Sequence, residues 1–132
     1  MHDYDKLHAE FHQRLLADFL NNLKQSVPFN QQELSEDDQS FFDVLLSLPQ
    51  LTGEQFLNIG QQCLCRIVST YSHLMPIVPR DLFWFFGGDC LHYMPDDEIA
   101  KFQQLEDLRY EAAQNNESVN YEELRARALG LH

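Results

Sequence analysis

Basic residues are scarce in this sequence. Lys and Arg number 9 against 21 Asp and Glu, a formal net charge of −12 over 132 residues. A surface that neutralises a nucleic-acid backbone or docks on an anionic bilayer needs clustered cations. Direct nucleic-acid binding and membrane-surface binding are therefore not expected. Cysteine is scarce as well. Cys63, Cys65 and Cys90 are odd in number, whereas a secreted disulfide scaffold carries more of them, in pairs. No apolar run reaches the roughly 18 residues of a membrane span. The opening Met1-His2-Asp3-Tyr4-Asp5 has neither the basic region nor the apolar core of a secretory signal. Together these absences lead to the expectation of a cytoplasmic location.

Catalytic signatures are missing too. Gly87-Gly88 belongs to no phosphate-cradling loop, and it follows a helix-like run where such loops follow a strand. There is no G-x-S-x-G elbow and no H-E-x-x-H. Carboxylates are plentiful, but they sit at helix starts or on polar faces, where capping and solvation account for them. These absences point to a non-enzymatic protein and imply no cofactor. Long Gly/Ser/Pro linkers, repeats and two-residue alternation are all absent, so one domain over residues 1–132, without strands, is expected.

What remains is helical periodicity. Leu7, Phe11, Leu15, Phe19 and Leu23 recur every four residues and mark a helix over about 4–25. Ser35 followed by Glu36, Asp37 and Asp38 reads as a capped start, and Pro49 as the end of that helix. Thr52-Gly53-Glu54-Gln55 reads as a capping box opening an amphipathic helix over 53–75. Pro95-Asp96-Asp97-Glu98 opens another, which Asn115-Asn116 breaks. Asn120 caps a last short helix, with Gly130 at its C-terminal cap. The most apolar segment, Arg80 to Met94, holds Leu82, Phe83, Trp84, Phe85, Phe86, Cys90 and Tyr93. It reads either as a short helix broken at Gly87-Gly88 or as one continuous helix. The preferred reading is a single helix over 80–93 whose glycines admit a close neighbour. The expected fold is an all-α bundle of five to six helices with that apolar helix at its centre.

Three constellations could carry chemistry. His8 and His12 share a helix face at metal-ligand spacing, but a site needs a third ligand and the sequence supplies none nearby, so no metal is expected. Cys63 and Cys65 point apart on a helix, and Cys63 falls in the core stripe as a small hydrophobe. In Asp89-Cys90-Leu91-His92 the carboxylate and imidazole could meet on a helix, while the thiol points elsewhere.

Charge and aromatics are the stronger hints. Gln25 to Cys65 holds six acids and no Lys or Arg, and Asp96 to Glu123 holds nine acids against Lys101 and Arg109. Phe83, Trp84, Phe85 and Phe86 cannot all point one way. Either flanking helices cover them on several sides, or some face a groove, a ligand or a second copy in a homodimer. The leading expectation is a protein–protein interaction module: a regulator, adaptor, inhibitor or immunity-type partner of a basic protein. It would dock through Phe83, Trp84 and Phe86 among the carboxylates of Glu36, Asp37, Asp38, Asp96, Asp97 and Glu98. An alternative is a helical small-molecule or metal-binding domain with a pocket lined by Phe83, Trp84, Phe86, Tyr93 and His92. A third is a nucleic-acid mimic whose carboxylates copy phosphate spacing.

Overall fold

Helix boundaries follow from the residues that satisfy the free backbone groups of each end. The computed structural model describes residues 3–115 and 120–131. The break expected at Asn115-Asn116 lies partly outside them, as do His2, Glu117 and His132. Six α-helices are present: α1 (Asp3–Lys24), α2 (Glu36–Ser47), α3 (Gly53–Thr70), α4 (Arg80–Phe86), α5 (Asp96–Gln114) and α6 (Tyr121–Leu129). Short 3-10 segments, Leu48–Gln50, Ser72–Ile77 and Gly88–Tyr93, connect some of them, and no strand occurs among the described residues. The chain is all-α, as its periodicity dictates.

Local chemistry sets several ends. Ser35 Oγ accepts from the Asp38 N–H at 3.1 Å and starts α2. Asn120 Oδ1 accepts from the Glu122 N–H at 2.8 Å and starts α6. Gly130, left-handed at φ 71°, closes α6. At α3 the capping box is not made, because Thr52 forms no side-chain cap bond. That helix also stops at Thr70, short of the expected residue 75. Tyr71 leaves the helical region, at φ −123° and ψ 49°. The chain continues in the 3-10 segment Ser72–Ile77, which contains Pro76.

The continuous helix over 80–93 is not found. α4 ends at Phe86, and Gly87 takes φ 65° with ψ −150°, a conformation essentially closed to residues with a Cβ. Gly88 follows at φ 57°. The glycine pair therefore ends the helix, and Gly88 also admits a close neighbour, since a Cβ there would meet the Gln61 side chain of α3 at 2.7 Å. The returning segment, Gly88–Tyr93, packs on α3, where the Cys90 thiol lies 3.8 Å from the Gln61 carbonyl. Gln61 Nε2 donates to the Phe86 carbonyl at 2.7 Å, satisfying one of the acceptors that the helix end leaves open.

One continuous core unites the helices. It includes Leu16, Phe19 and Leu23 from α1, Phe41 and Leu45 from α2, Cys63, Leu64 and Ile67 from α3, Leu82, Phe83 and Phe86 from α4, and Phe102 and Leu105 from α5. α4 is central, covered on different sides. Trp84 stacks on Phe102 of α5 at 5.9 Å. Phe86 lies against α3, with Phe56 at 5.2 Å. A close approach also occurs at Gly60 of α3, where any Cβ would overlap the Phe86 ring. Gly60→Ala should therefore destabilise the protein by about 1–2 kcal/mol net, since overpacking outweighs the roughly 1 kcal/mol gained in helix propensity. Urea unfolding monitored by circular dichroism checks this; an unchanged or raised midpoint would mean that the Phe86 ring has room to move.

Candidate functional site

A buried carboxylate organises one end of the bundle. Asp81, in the first turn of α4, is 3% exposed. A lone buried carboxylate is costly, and it persists only when paired and hydrogen-bonded. Arg125 of α6 supplies both bonds, Nε to Oδ2 at 2.6 Å and Nη2 to Oδ1 at 2.8 Å. The hydrogen bond to Asp81 also holds the Arg125 pKa above its ordinary value. The guanidinium lies 5.3 Å from the centre of the Phe11 ring of α1. α6 is thereby held to α4 and α1 together, and Tyr121, one turn before Arg125, is buried edge-on against His8 at 4.8 Å.

His8 and His12 do share a face of α1, with ring centres 4.4 Å apart. His12, 4% exposed, stacks on Phe85 at 4.4 Å with an interplanar angle of 18°. His12 Nδ1 lies 2.8 Å from the His8 backbone carbonyl. A carbonyl only accepts, so Nδ1 carries the proton and Nε2 of the neutral ring is an acceptor. His8 Nε2 lies 3.1 Å from Arg109 Nη1, a group that only donates, so this nitrogen too holds a lone pair. Arg109 also pairs with Glu106 at 3.1 Å. Burial first, then His12 and Arg109, push the His8 pKa down to about 3. Burial likewise lowers that of His12 and outweighs the opposing His8 carbonyl and Asp81. Both imidazoles are neutral at pH 7. No hydrogen-bond partner of His12 Nε2 occurs among the described residues.

The two histidines form a wall of a cleft of about 530 Å³. Ala9, Gln13 and Leu16 of α1 continue that wall. Pro49, Leu51 and Thr52 face it from the connection before α3, and Gly53 and Phe56 from the start of α3. Leu82, Phe85 and Phe86 of α4 complete the lining. Among the described residues that line it there is no Asp, Glu, Lys or Arg. In a chain that is 23% charged, this neutrality sets the cleft apart from the rest of the surface.

The residues expected to dock a partner are distributed otherwise. Phe83 and Phe86 lie in the core and are not available as surface anchors. Trp84 is half-buried, its indole N–H 3.4 Å from Glu106. Glu36, Asp37, Asp96 and Asp97 are exposed in the first turns of α2 and α5. Asp38 accepts a 2.5 Å bond from the Tyr71 hydroxyl, and Glu98 pairs with Arg80 at 2.6 Å. The pocket-lining set expected from the sequence is Phe83, Trp84, Phe86, Tyr93 and His92. Of these residues only Phe86 lines the cleft, and His92 is exposed beside Asp89 at 4.0 Å. Cys63 is buried, and burial raises its thiol pKa to about 11. Cys65 is half-buried. Among the described residues no group of three His, Cys, Asp or Glu is placed to hold a metal ion. No helix among them is long and apolar enough to cross a membrane.

Neutral buried histidines make stability depend on pH. Below about pH 6.5 the unfolded rings take up protons that the folded rings do not. The stability they contribute is therefore complete above that pH, and for His8 it is lost as the pH falls toward about 3. Each excluded proton steepens the slope by up to about 1.4 kcal/mol per pH unit, less at the more exposed His8. A His8→Gln, His12→Gln variant should lose less stability between about pH 7 and about pH 5 than the unaltered chain. Urea midpoints across that range decide; parallel slopes would mean that the folded rings titrate freely.

No curated protein matches the chain, and no solved structure matches it. A family model described as PA2817-like does match, over residues 4–132, and its description names no activity. With almost the whole length matched, the chain belongs to the PA2817-like family.

Proposed function

We propose that this protein is a non-enzymatic small-molecule-binding domain whose ligand occupies the cleft between α1, α3 and α4. The observation that carries the reading is His12. The residue is buried and lines the cleft, its Nδ1 is committed to the His8 carbonyl, and its Nε2, an acceptor, has no partner among the described residues. An unsatisfied buried acceptor costs about 1–3 kcal/mol, and native structures leave few of them. A ligand that satisfies it recovers that cost. The volume of about 530 Å³ suits a small molecule, and a mostly apolar lining with one or two convergent polar groups is the usual character of such sites.

A second reading, docking of a basic protein partner, is supported by the exposed carboxylates of Glu36, Asp37, Asp96 and Asp97. It ranks lower because affinity in such interfaces comes from buried apolar anchors, and Phe83 and Phe86 are committed to the core. Salt-sensitive capture of a basic protein that leaves the cleft residues unperturbed would move it ahead.

The leading reading is tested by screening fragments with amide and imidazole NMR on the whole chain. Ligands should perturb His12, Phe56 and Phe85 together. A ligand at a hundredfold excess over its Kd should add about 2.7 kcal/mol of stability. Ala9→Trp, which narrows the cleft from an exposed position on α1, should weaken the same ligands by about tenfold or more. If no fragment perturbs the cleft, or if Ala9→Trp binds them all equally, the reading fails.

A further inference from the structure

We infer that the ligand of this cleft is a neutral, largely apolar ring compound that donates one O–H or N–H hydrogen bond to His12 Nε2, as a phenol or an indole does. This rests on the cleft being the binding site, and it narrows the ligand to one chemical class.

The direction of the hydrogen bond is fixed by the protein. His12 Nδ1 is already donating to the His8 carbonyl at 2.8 Å, so the neutral ring can only accept through Nε2. A ligand carbonyl, ether or carboxylate oxygen placed there would meet lone pair with lone pair. A donor is what His12 Nε2 requires. His8 does not offer a second acceptor, because its Nε2 faces Arg109 at 3.1 Å.

Charge selects a neutral ligand. The described lining contains no cation to hold an anion and no carboxylate to hold a cation. The charged groups behind the imidazoles are already paired, Asp81 with Arg125 at 2.6 Å and Glu106 with Arg109 at 3.1 Å. A charged ligand would therefore be desolvated without compensation, and an anion would also approach a chain of net charge −12. The start of α3, where Thr52 makes no side-chain cap bond, brings a helix N-terminus to the cleft. Glu54 in the first turn of that helix opposes it.

Shape selects a ring. Phe56, Phe85 and Phe86 border the cleft together, with centroids 5.2 to 6.2 Å apart in tilted and edge-on arrangements. A further aromatic ring meets such a group at the same kind of offset or edge-on contact. Leu16, Leu51 and Leu82 provide apolar cover for the remainder.

The test is isothermal titration of the whole chain, near neutral pH, with three probes on one ring system: naphthol, methoxynaphthalene and naphthoate. Naphthol should bind most tightly. Methylating its oxygen removes the donor and should weaken binding by about tenfold, since it leaves the acceptor unsatisfied. Naphthoate should be weaker still. In a His12→Leu variant naphthol and its ether should become equivalent; if that variant does not fold, the ratio measured on the unaltered chain decides alone. An ether that binds as well as naphthol, or a naphthoate that binds best, overturns the donor class while leaving the cleft as a site, provided that Ala9→Trp still blocks binding. Failure of all three probes, with other fragments still perturbing the cleft residues, overturns the class in the same way. Failure of every molecule to occupy the cleft removes the binding reading and this inference together.

Discussion

The arrangement of the site depends on one buried ion pair, Asp81 with Arg125. The carboxylate is 3% exposed, so it has no bulk water to fall back on, and an unpartnered charge there would cost several kcal/mol. Both of its oxygens are taken by one guanidinium, at 2.6 and 2.8 Å, which fixes the direction of approach as well as the distance. α6 is only nine residues long, and a helix of that length is marginal in isolation. Its place is set by docking: Tyr121, Leu124 and Ala128 are buried, and Arg125 reaches across to α4. A pair of this kind rarely adds much net stability over an apolar replacement. What it supplies here is position. Once Arg125 meets Asp81, Tyr121 stands one turn away, over the two histidines of α1.

Around that pair, charge is neutralised locally. Glu106 and Arg109 form a second pair 3.1 Å apart, and Arg109 gives a further N–H to His8. Between these paired groups the two imidazoles have little reason to ionise. Burial disfavours their charged forms, and each also faces the nearby Arg109 cation. The result is a neutral recess in a strongly acidic protein. His12 Nδ1 is committed to the His8 carbonyl, so the same packing that makes the ring neutral leaves Nε2 an acceptor with no partner among the described residues.

Much of the fold was legible in the sequence, because capping chemistry is local. Ser35, Asn120 and Gly130 perform at the helix ends the roles that their residue types suggest. The misreadings share a cause. Glycine has two uses, left-handed backbone and close approach, and the sequence does not say which applies. Gly87 and Gly88 read as close-approach residues within a continuous helix; both instead end it at φ 65° and 57°, and Gly88 in addition lies close against Gln61 of α3. Gly60, inside an amphipathic pattern, is a second close-approach site. α3 likewise ends at Thr70, where no glycine or proline in the sequence marks it. For the site, only the His8–His12 spacing was visible. Asp81 reads as an ordinary first-turn acid, and its partner lies 44 residues away on another helix, so no pattern along the chain connects them.

The four consecutive aromatics show how tertiary cover resolves what the sequence leaves open. Within the seven-residue α4, Phe83 turns to the core, Trp84 to Phe102 of α5, Phe85 to His12 of α1, and Phe86 to the notch at Gly60 of α3. Each ring is claimed by a different neighbour, so the sequence run never forms a single exposed surface. Two of the rings, Phe85 and Phe86, nevertheless border the cleft. Phe85 is held there by its stack on His12. Phe86 is held twice, by its ring in the Gly60 notch and by its carbonyl on Gln61 Nε2 at 2.7 Å. The aromatic wall of the cleft is thus built from side chains whose positions are over-determined by the core behind them. A wall of that kind loses little conformational freedom when a ligand arrives, which leaves the free energy of contact available for binding.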